Sequence, residues 1–374
     1  QLTLRLYDDP SRKIKVIGIT GTNGKTTVSY LMEAICQKNN QSCGVIGTIN
    51  CRLGEVIKSS HNTTPSLVEN QQLLAHMHEK GADYCVMEVS SHALDQGRTD
   101  LIQFSSAIFT NLTSDHLDYH QTREKYFLAK SLLFTHLSTE AHAIINIDDP
   151  YGQKLVSRTP AKVMSYGIDN NAQVKAADIE ISISGNTFKL VTPQGERTVR
   201  SPLVGRYNIY NVLAAVACGI AQGFSFDKMV EAVEQFSSVP GRLEKIDYKQ
   251  AFSIFIDFAH TQDALENVLR TIRLATDKRI ILVFGCGGDR DKTKRPLMGK
   301  VAGQLADVSI VTSDNPRGED PQVIIDEIVQ GFEQVNYETI VDRKQAIGKA
   351  LRMAQQGDVV IIAGKGHEDY QVFK

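Results

Sequence analysis

Short apolar runs rich in β-branched residues alternate with amphipathic stretches along the first part of this chain. Such runs are typical of buried strands, whereas apolar residues that recur every three or four positions indicate helices. The runs predict strands near 14–19, 45–50, 84–89, 106–111 and 143–147. The intervening stretches predict helices near 26–38, 66–80 and 122–136. This alternation predicts a parallel sheet whose strands are joined by crossover helices.

The pattern changes between residues 160 and 200, where apolar and polar residues alternate around Gly185 and Gly195. That alternation is typical of antiparallel hairpins with one buried face. Two helices are predicted after the hairpins, near 208–222 and 226–236. The first region is therefore expected to combine a parallel sheet with a small antiparallel subsheet.

A second alternation of strands and helices begins after the small, polar segment SSVPGR. A length of 374 residues also favours two or three domains over one. We therefore place a boundary in this segment, with one domain over 1–239 and another over 240–374. The strands predicted in the second domain lie near 252–257, 280–285, 307–312, 338–341 and 358–363.

Composition is that of a globular protein, with 42% apolar and 22% charged residues. No apolar run approaches the roughly 18 residues that a membrane span needs. The 41 basic and 43 acidic residues leave a formal net charge of −2, so no general field attracts nucleic acid or anionic lipid. We therefore expect no nucleic-acid and no membrane partner. The six cysteines stand singly, without a CxxC pair, which favours reduced thiols in a cytoplasmic protein.

The segment GITGTNGKTT, at 18–27, follows a predicted strand and precedes a predicted helix. Glycines such as Gly21 and Gly24 let backbone N–H groups point inward, and the helix adds its positive end. Lys25 would reach the terminal phosphates of a nucleotide, and the Thr26 hydroxyl is placed to ligate Mg²⁺. This variant of the Walker A motif predicts a central domain like that of P-loop ATPases. The second alternation of strands and helices predicts a Rossmann-like C-terminal domain after it.

Acidic and imidazole side chains follow two neighbouring predicted strands. Glu88 ends one strand, and Asp115 and His116 lie just beyond another. Carboxylate and imidazole groups there could hold Mg²⁺ against nucleotide phosphates. A Zn²⁺ site formed by His116, Asp118 and His120 is an alternative, although nothing else in the chain completes a tetrahedral set.

Lys130 lies in the apolar segment YFLAKSLLF. By itself it is an ordinary lysine on an amphipathic helix. The apolar neighbours nevertheless suggest partial burial, which makes a lysine amine easier to deprotonate. A neutral amine can react with CO₂, and the resulting carbamate is an anion able to bind a metal.

Eleven motifs in a fixed order resemble the Mur ligase family over essentially the whole chain. They are GTNGKTT, NTTP, EVSSHALDQGR, TNLTSDHLDYH, AKSLLF, GRYNIYN, PGRLE, DFAHTQDALE, GCGGDRDKTKRP, DNPRGEDP and AGKGHEDYQ. The resemblance implies an ATP-dependent ligase that forms an amide bond through an acyl phosphate, in cytoplasmic peptidoglycan precursor synthesis. The family has a further N-terminal domain that holds a uridine nucleotide, and we expect this chain to lack it and to be a monomer.

The resemblance also implies roles for individual residues. ATP would be bound by Gly21, Thr22, Asn23, Gly24, Lys25, Thr26, Thr27, Asn208, Asn211, Arg242, Asp257 and His260. Mg²⁺ would be held by Thr26, Glu88, His116 and a carbamate on Lys130. Glu88, His116 and Lys130 are, with Lys25, the expected catalytic residues. UDP-N-acetylmuramoyl-L-alanyl-D-glutamate would contact Asn62, Thr63, Thr64, Ser90, Gln96 and Arg98. The incoming amino acid would be read by Arg290, Asp314, Asn315, Arg317, Gly364 and Glu368.

The amino acid can be argued from the DNPR segment. The fork of Arg317 suits a carboxylate and would repel the side-chain ammonium of L-lysine. The side chain of meso-diaminopimelate ends in both a carboxylate and an ammonium, which could pair with Arg317 and Glu368 together. The sequence therefore predicts meso-diaminopimelate as the substrate.

Three other functions stay open. They are the L-lysine-adding ligase, another Mur-type ligase such as folylpolyglutamate synthase, and a P-loop regulatory NTPase. The last would hydrolyse nucleotide without an amino acid, and it would have no need for a second domain with polar strand ends.

Overall fold

The computed structural model describes residues 2–54, 56–59, 62–113 and 115–374. The chain forms two compact units. The first comprises the chain up to Glu180 with Asn186–Pro202 and Arg206–Phe236, and the second comprises Ile181–Gly185, Leu203–Gly205 and Ser237–Lys374. A mixed α/β fold with one large, mainly parallel sheet and a second sheet confirms the predicted fold class.

The first sheet has eleven strands in the order β11-β10-β9-β8-β7-β6-β1-β5-β2-β3-β4. Pairing is parallel from β9 through β8, β7, β6, β1 and β5 to β2. The strands are β1 (Lys15–Thr20), β2 (Cys43–Ile46), β3 (Asn50–Leu53), β4 (Val56–Ser59), β5 (Tyr84–Glu88), β6 (Phe104–Phe109), β7 (His142–Asn146), β8 (Lys162–Gly167), β9 (Val174–Ser182), β10 (Gly185–Thr192) and β11 (Gly195–Ser201).

Helices cover both faces of this sheet. They are α1 (Leu2–Tyr7), α2 (Lys25–Lys38), α3 (Leu67–Glu79), α4 (Ser91–Asp95), α5 (Leu117–His120), α6 (Arg123–Thr135), α7 (Pro150–Val156), α8 (Arg206–Ala221) and α9 (Phe226–Glu234). Apolar residues of α3, α6 and α7 form one core with β1, β5, β6 and β7. The almost entirely apolar helix α8 packs against α2. The central strands are buried on both faces, which explains their continuous apolar runs.

One detail of the predicted sheet is wrong. The single strand expected near 45–50 is two antiparallel strands, β2 and β3, because the chain bends at 47–49. The predicted antiparallel hairpin is present as β10 and β11 at one end of the large sheet, where β9 pairs with β8 and continues the parallel part. Periodicity identified the hairpin but could not show which edge it joins.

The second sheet has the order β12-β13-β17-β14-β15-β16, and every pair except β12–β13 is parallel. Its strands are β12 (Glu244–Ile246), β13 (Ser253–Asp257), β14 (Ile280–Phe284), β15 (Val308–Thr312), β16 (Tyr337–Ile340) and β17 (Val359–Ala363). The helices are α10 (Gln262–Ala275), α11 (Lys294–Leu305), α12 (Pro321–Val329) and α13 (Arg343–Met353). The first three pack on one face and α13 on the other.

Parallel pairing brings the carboxyl ends of the strands to one edge in each unit. Ile19 is in register with Glu88, and Thr20 with Phe109. In the second sheet Asp257 is in register with Ala363. Open α/β sheets bind ligands at this edge. The six cysteines are buried, and among the described residues no helix combines the length and apolar character that a membrane span needs.

Candidate active site

The loop between β1 and α2 lies against the segment that follows β6. Thr22 N donates to Asn111 O over 2.8 Å, and Asn23 N donates to Asn111 Oδ1 over 3.0 Å. Gly21 has a φ of 149°, and a Cβ there would lie 1.9 Å from Thr110 Oγ1. A side chain at this glycine would therefore displace the loop from the neighbouring strand. The loop is a rigid backbone cradle at a helix N-terminus, which is the arrangement that holds phosphate.

Lys25 begins helix α2 and turns back over the loop. Its Nζ donates to Gly21 O over 2.9 Å and to Thr22 O over 2.8 Å. The ammonium is thus held on the loop itself, on the side where the helix dipole is positive. This placement fits a cation that stabilises a bound polyphosphate.

Glu88 is almost completely buried at the end of β5, with 1% of its surface exposed. Its Oε2 accepts a hydrogen bond from Thr26 Oγ1 over 3.0 Å. The two oxygen donors predicted for Mg²⁺ are therefore adjacent, and hard oxygen ligands are those that Mg²⁺ prefers. The donor set fits the ion.

Lys130, on α6, is buried to the same extent as Glu88. Its Nζ donates to Gly21 O over 2.8 Å and lies 4.6 Å from the centre of the Tyr126 ring. Among the described residues no carboxylate forms an ion pair with this amine. Burial, followed by the charge of Lys25, holds the pKa of Lys130 well below its usual value. The structure thus brings Lys130 and Lys25 to one carbonyl of the loop.

His116 lies in a cluster of rings next to Tyr126 and His92, with centroid distances of 6.1 and 4.9 Å. Partial burial lowers its pKa, opposed by Asp115. His120 belongs to the same cluster, with its ring centroid 5.4 Å from that of His92 and 5.2 Å from that of Tyr126. Its Nε2 is 2.9 Å from Ser91 Oγ. No group of three His, Cys, Asp or Glu residues that could hold a metal occurs in the described part of the chain.

The segment NTTP lies beside Glu88. Thr64 Oγ1 donates to Glu88 O over 2.9 Å and accepts from Ser90 N over 3.0 Å. Arg98 donates to Thr64 O over 3.0 Å, and its Nε donates to Gln96 Oε1 over 2.9 Å. Four of the residues predicted to contact the muramoyl dipeptide therefore form one network. Thr63 and Asn62 adjoin it in sequence.

Two asparagines of α8 form a buried pair, and one of them, Asn211, approaches the phosphate loop. Asn211 Nδ2 donates to Asn208 Oδ1 over 2.9 Å, and both residues are buried. A Cβ at Gly24 would lie 2.4 Å from Asn211 Oδ1. The predicted nucleotide contacts of α8 thus lie within reach of the loop.

In the second unit, the predicted nucleotide contacts Arg242 and His260 lie around Asp257. Its two carboxylate oxygens accept from Leu243 N and Ala259 N, each over 2.7 Å. Burial raises the pKa of Asp257 although the charge of Arg242 opposes the shift. The Arg242 guanidinium lies 5.1 Å from the centre of the Phe258 ring, and His260 Nδ1 is 2.9 Å from Phe258 O. Arg242, Asp257 and His260 are therefore neighbours.

The residues predicted to read the amino acid surround a buried lysine that the sequence did not single out. Lys365 Nζ lies 3.0 Å from Asn315 Oδ1, 3.1 Å from Glu368 Oε2 and 4.0 Å from Asp314 Oδ1. Asp314 Oδ2 is buried without a hydrogen-bond partner in the described structure. At Gly364, whose φ is 113°, a Cβ would lie 2.9 Å from this same oxygen.

Arg317 lies at the edge of this group with its φ at 51°, an uncommon value for a residue other than glycine. Its Nη1 donates to Gly288 O over 2.9 Å. No ion pair joins its guanidinium to a carboxylate in the described residues. Arg290 is exposed, and both arginines lie within 4 Å of a Cβ built at Gly287. The structure therefore brings the two arginines to one turn.

Sequence reasoning missed Arg343 as well as Lys365. Arg343, the first residue of α13, is buried and donates to Ala363 O over 2.8 Å and to Ser313 O over 3.5 Å. It thus joins the ends of β15 and β17, which carry DNPR and GKGHE. Lys365 is part of a quoted motif and could have been noticed, whereas nothing in the local sequence distinguishes Arg343.

Comparison with known proteins agrees with this geometry. A model of the Mur ligase middle domain matches residues 19–219, and a model of the Mur ligase glutamate ligase domain matches residues 241–366. A UDP-N-acetylmuramoyl-L-alanyl-D-glutamate–2,6-diaminopimelate ligase from Clostridium botulinum is 45% identical over 370 residues, covering 98% of this chain and 76% of the relative.

Two solved structures are also similar. A ligase of the same name has a TM-score of 0.73 at 38% identity, covering 96% of this chain and 74% of that one. A folylpolyglutamate synthase from Mycobacterium tuberculosis has a TM-score of 0.78 at 19% identity, covering 97% and 91% of the two chains, and shows the fold alone. The resemblance found in the motifs is confirmed: this chain belongs to the Mur ligase family.

Proposed function

We propose that this protein is the ATP-dependent ligase that adds meso-diaminopimelate to UDP-N-acetylmuramoyl-L-alanyl-D-glutamate in cytoplasmic peptidoglycan precursor synthesis. The first unit would hold nucleotide and muramoyl dipeptide, and the second would bind the amino acid. The observation that carries the proposal is the group around Arg317, Asp314 and Glu368, in a chain 45% identical to a relative of that name.

Activation of the carboxylate would take place at the phosphate loop. A carboxylate and an amine do not condense in water near pH 7, so the γ-phosphoryl group of ATP must first pass to the D-glutamate carboxylate. Lys25, held at the positive end of α2, would stabilise the charge that spreads over the transferring group. Thr26 and Glu88 would hold Mg²⁺, which when bound neutralises phosphate charge.

Amide formation would follow without a protein nucleophile. The amine nitrogen attacks the acyl carbon, the bond from that carbon to the phosphate oxygen breaks, and a proton leaves the nitrogen. Inorganic phosphate then carries away one oxygen of the original carboxylate. The protein's contribution is to align the two reactants, which replaces an encounter in solution by a positioned step.

Lys130 would act as a carbamate. Its burial and lowered pKa favour the neutral amine that reacts with CO₂. The new anion would compensate the charge of Lys25, which lies on the same carbonyl. With His116 it would complete the set of metal ligands around Thr26 and Glu88.

Selection of the amino acid would depend on the positive charge of Arg317 and the negative charges of Asp314 and Glu368. Arg317 makes no carboxylate ion pair in the described structure, so its fork can take the side-chain carboxylate of meso-diaminopimelate. Asp314 and Glu368 would take ammonium groups. L-Lysine has no side-chain carboxylate for Arg317, and would leave that cation without its partner.

The proposal is tested by product mass. The protein, expressed from its complete coding sequence, is supplied with ATP, Mg²⁺ and UDP-N-acetylmuramoyl-L-alanyl-D-glutamate, and with meso-diaminopimelate, L-lysine or no amino acid. We expect product only with meso-diaminopimelate. Product with L-lysine alone would contradict the amino-acid assignment, and ATP hydrolysis without any ligated product would favour the regulatory NTPase.

A further inference from the structure

The bend at 47–49, between β2 and β3, places a threonine beside Glu88. Thr48 N donates to Glu88 Oε1 over 3.0 Å, and Thr48 Oγ1 donates to Glu88 Oε2 over 3.0 Å. A Cβ at Gly47 would lie 2.5 Å from Glu88 Oε1, so the bend approaches the carboxylate as closely as only glycine permits. Gly47 and Thr48 therefore form a cradle around a buried anion.

Thr48 also contacts the segment predicted to bind the muramoyl dipeptide, since its Oγ1 is 3.1 Å from Thr63 Oγ1. A threonine hydroxyl has one proton to donate and can accept two. The proton of Thr48 is directed to Glu88, so the hydroxyl of Thr63 must be the donor in this pair. The result is a chain of two hydrogen bonds in which Thr63 donates to Thr48 and Thr48 donates to Glu88.

We infer that Thr48 is a positioning residue that couples the metal-binding carboxylate to the muramoyl-dipeptide segment. It fixes the plane of the Glu88 carboxylate with two of the three hydrogen bonds that this carboxylate accepts among the described residues, and the third comes from Thr26. Three of about four lone-pair positions are then occupied, which leaves one on Oε1 for a further partner. This inference rests on the proposed function.

Thr48 is expected to affect metal binding because a residue that donates hydrogen bonds to a metal-binding carboxylate fixes the orientation of that carboxylate. Loss of such a partner typically lowers metal affinity about 10- to 100-fold. Thr48 differs from a simple support because it also accepts from Thr63. Its hydroxyl should therefore affect metal binding and the KM for the dipeptide together, whereas a purely structural residue would alter stability first.

The experiment compares Thr48→Val, which removes only the hydroxyl, with Thr48→Ser, which keeps it. Thr198→Val on the exposed face of β11 is the matched control. Binding of Mn²⁺ in the presence of ADP is followed by the electron paramagnetic resonance of the free ion. This measurement requires no turnover. The KM for the muramoyl dipeptide is measured in parallel.

We expect Thr48→Val to weaken Mn²⁺ binding about tenfold and to raise the dipeptide KM severalfold, while Thr48→Ser stays near wild type. The inference is overturned if the valine variant binds Mn²⁺ like wild type, or if the serine variant fails equally. Should the valine variant not fold, Thr48→Ala removes the same hydroxyl and the same criteria apply.

The two proposals fail separately. A protein that ligates meso-diaminopimelate but whose Mn²⁺ affinity is indifferent to the Thr48 hydroxyl would overturn only the inference. A protein whose Mn²⁺ binding depends on Thr48 but which forms no ligated product would overturn only the proposed function.

Discussion

Two buried basic side chains, one in each unit, differ in whether a carboxylate forms an ion pair with them. Lys130 has a carbonyl and an aromatic ring as its partners, and no carboxylate ion pair in the described residues. Arg295, which has no exposed surface, forms ion pairs with Glu319 at 2.9 Å and Glu327 at 2.6 Å. A buried charge costs several kcal/mol unless it is paired. Carboxylates compensate the charge of Arg295, whereas Lys130 has no such partner in the described structure and its pKa is lowered. We infer that Arg295 has a structural role and Lys130 a functional one.

We expect the largest effect on activity from a substitution of Lys130. Lys130→Met should lower kcat by about 10³-fold, because the carbamate proposed as a metal ligand could not form. It should also raise the melting temperature of the protein without ligands, since the depressed pKa shows that burial of this amine opposes folding. Steady-state kinetics and calorimetry check both effects.

Lys125→Met, on the exposed face of the same helix, is the control and should change neither quantity. The carbamate role would be wrong if Lys130→Met turned over at the wild-type rate in ambient CO₂. The contrast with Arg295 would fail if the variant were less stable than wild type.

Arg295→Met should act in the opposite direction and destabilise the second unit by about 3 kcal/mol, since it leaves two carboxylates without their main partner. Urea denaturation measures this loss. The hydrogen bonds of Arg295 hold the pKa of Glu319 well below its usual value. Stability from this pair is therefore present above the unfolded pKa of a glutamate and is lost as the pH falls below it.

The pH dependence gives an independent check on that assignment. In wild type the free energy of unfolding should fall as the pH is lowered through about 4, and in Arg295→Met this part of the decrease should be smaller. Equal acid sensitivity of the two proteins would show that the pair does not stabilise the fold.

Arg317 resembles Lys130 in one respect, because its guanidinium donates to backbone carbonyls and forms no ion pair with a carboxylate among the described residues. Arg317→Met should raise the KM for meso-diaminopimelate about 30-fold, the effect of losing a charged hydrogen-bonded pair, with a smaller change in kcat. Arg352→Met, on the exposed side of α13, is the control. An unchanged KM and unchanged preference over L-lysine would contradict the specificity argument.

The smallest effect is expected at Lys292, which shares Glu319 with Arg295 but is largely exposed. Lys292→Met should cost at most about 0.5 kcal/mol of stability, because solvent screens exposed pairs. The same denaturation experiment measures it. A loss comparable to that of Arg295→Met would mean that burial does not separate these two cations.

The strands and helices were predictable from the sequence because their signals are local. Gly21, Gly24, Lys25 and Thr26 lie in one short segment, and their order alone indicates phosphate binding. The bend at 47–49 was missed because a short apolar run does not show where a strand turns.

Contacts between distant segments could not be predicted in the same way. Thr48 and Glu88 are 40 positions apart, and Lys365 and Asn315 are 50 apart. Such pairs depend on strand register, which periodicity does not give. The family resemblance supplied the roles of Glu88 and Asn315, but it did not indicate the residues that hold them.

The proposed reaction depends on activation of the substrate carboxylate by ATP as an acyl phosphate. UDP-N-acetylmuramoyl-L-alanyl-D-glutamate is labelled with ¹⁸O in the carboxylate that becomes the amide. It is converted with meso-diaminopimelate, and the released phosphate is analysed by mass spectrometry. If the acyl phosphate forms, we expect one ¹⁸O atom in phosphate for each amide formed. Phosphate without the label, released at the same rate, would contradict it.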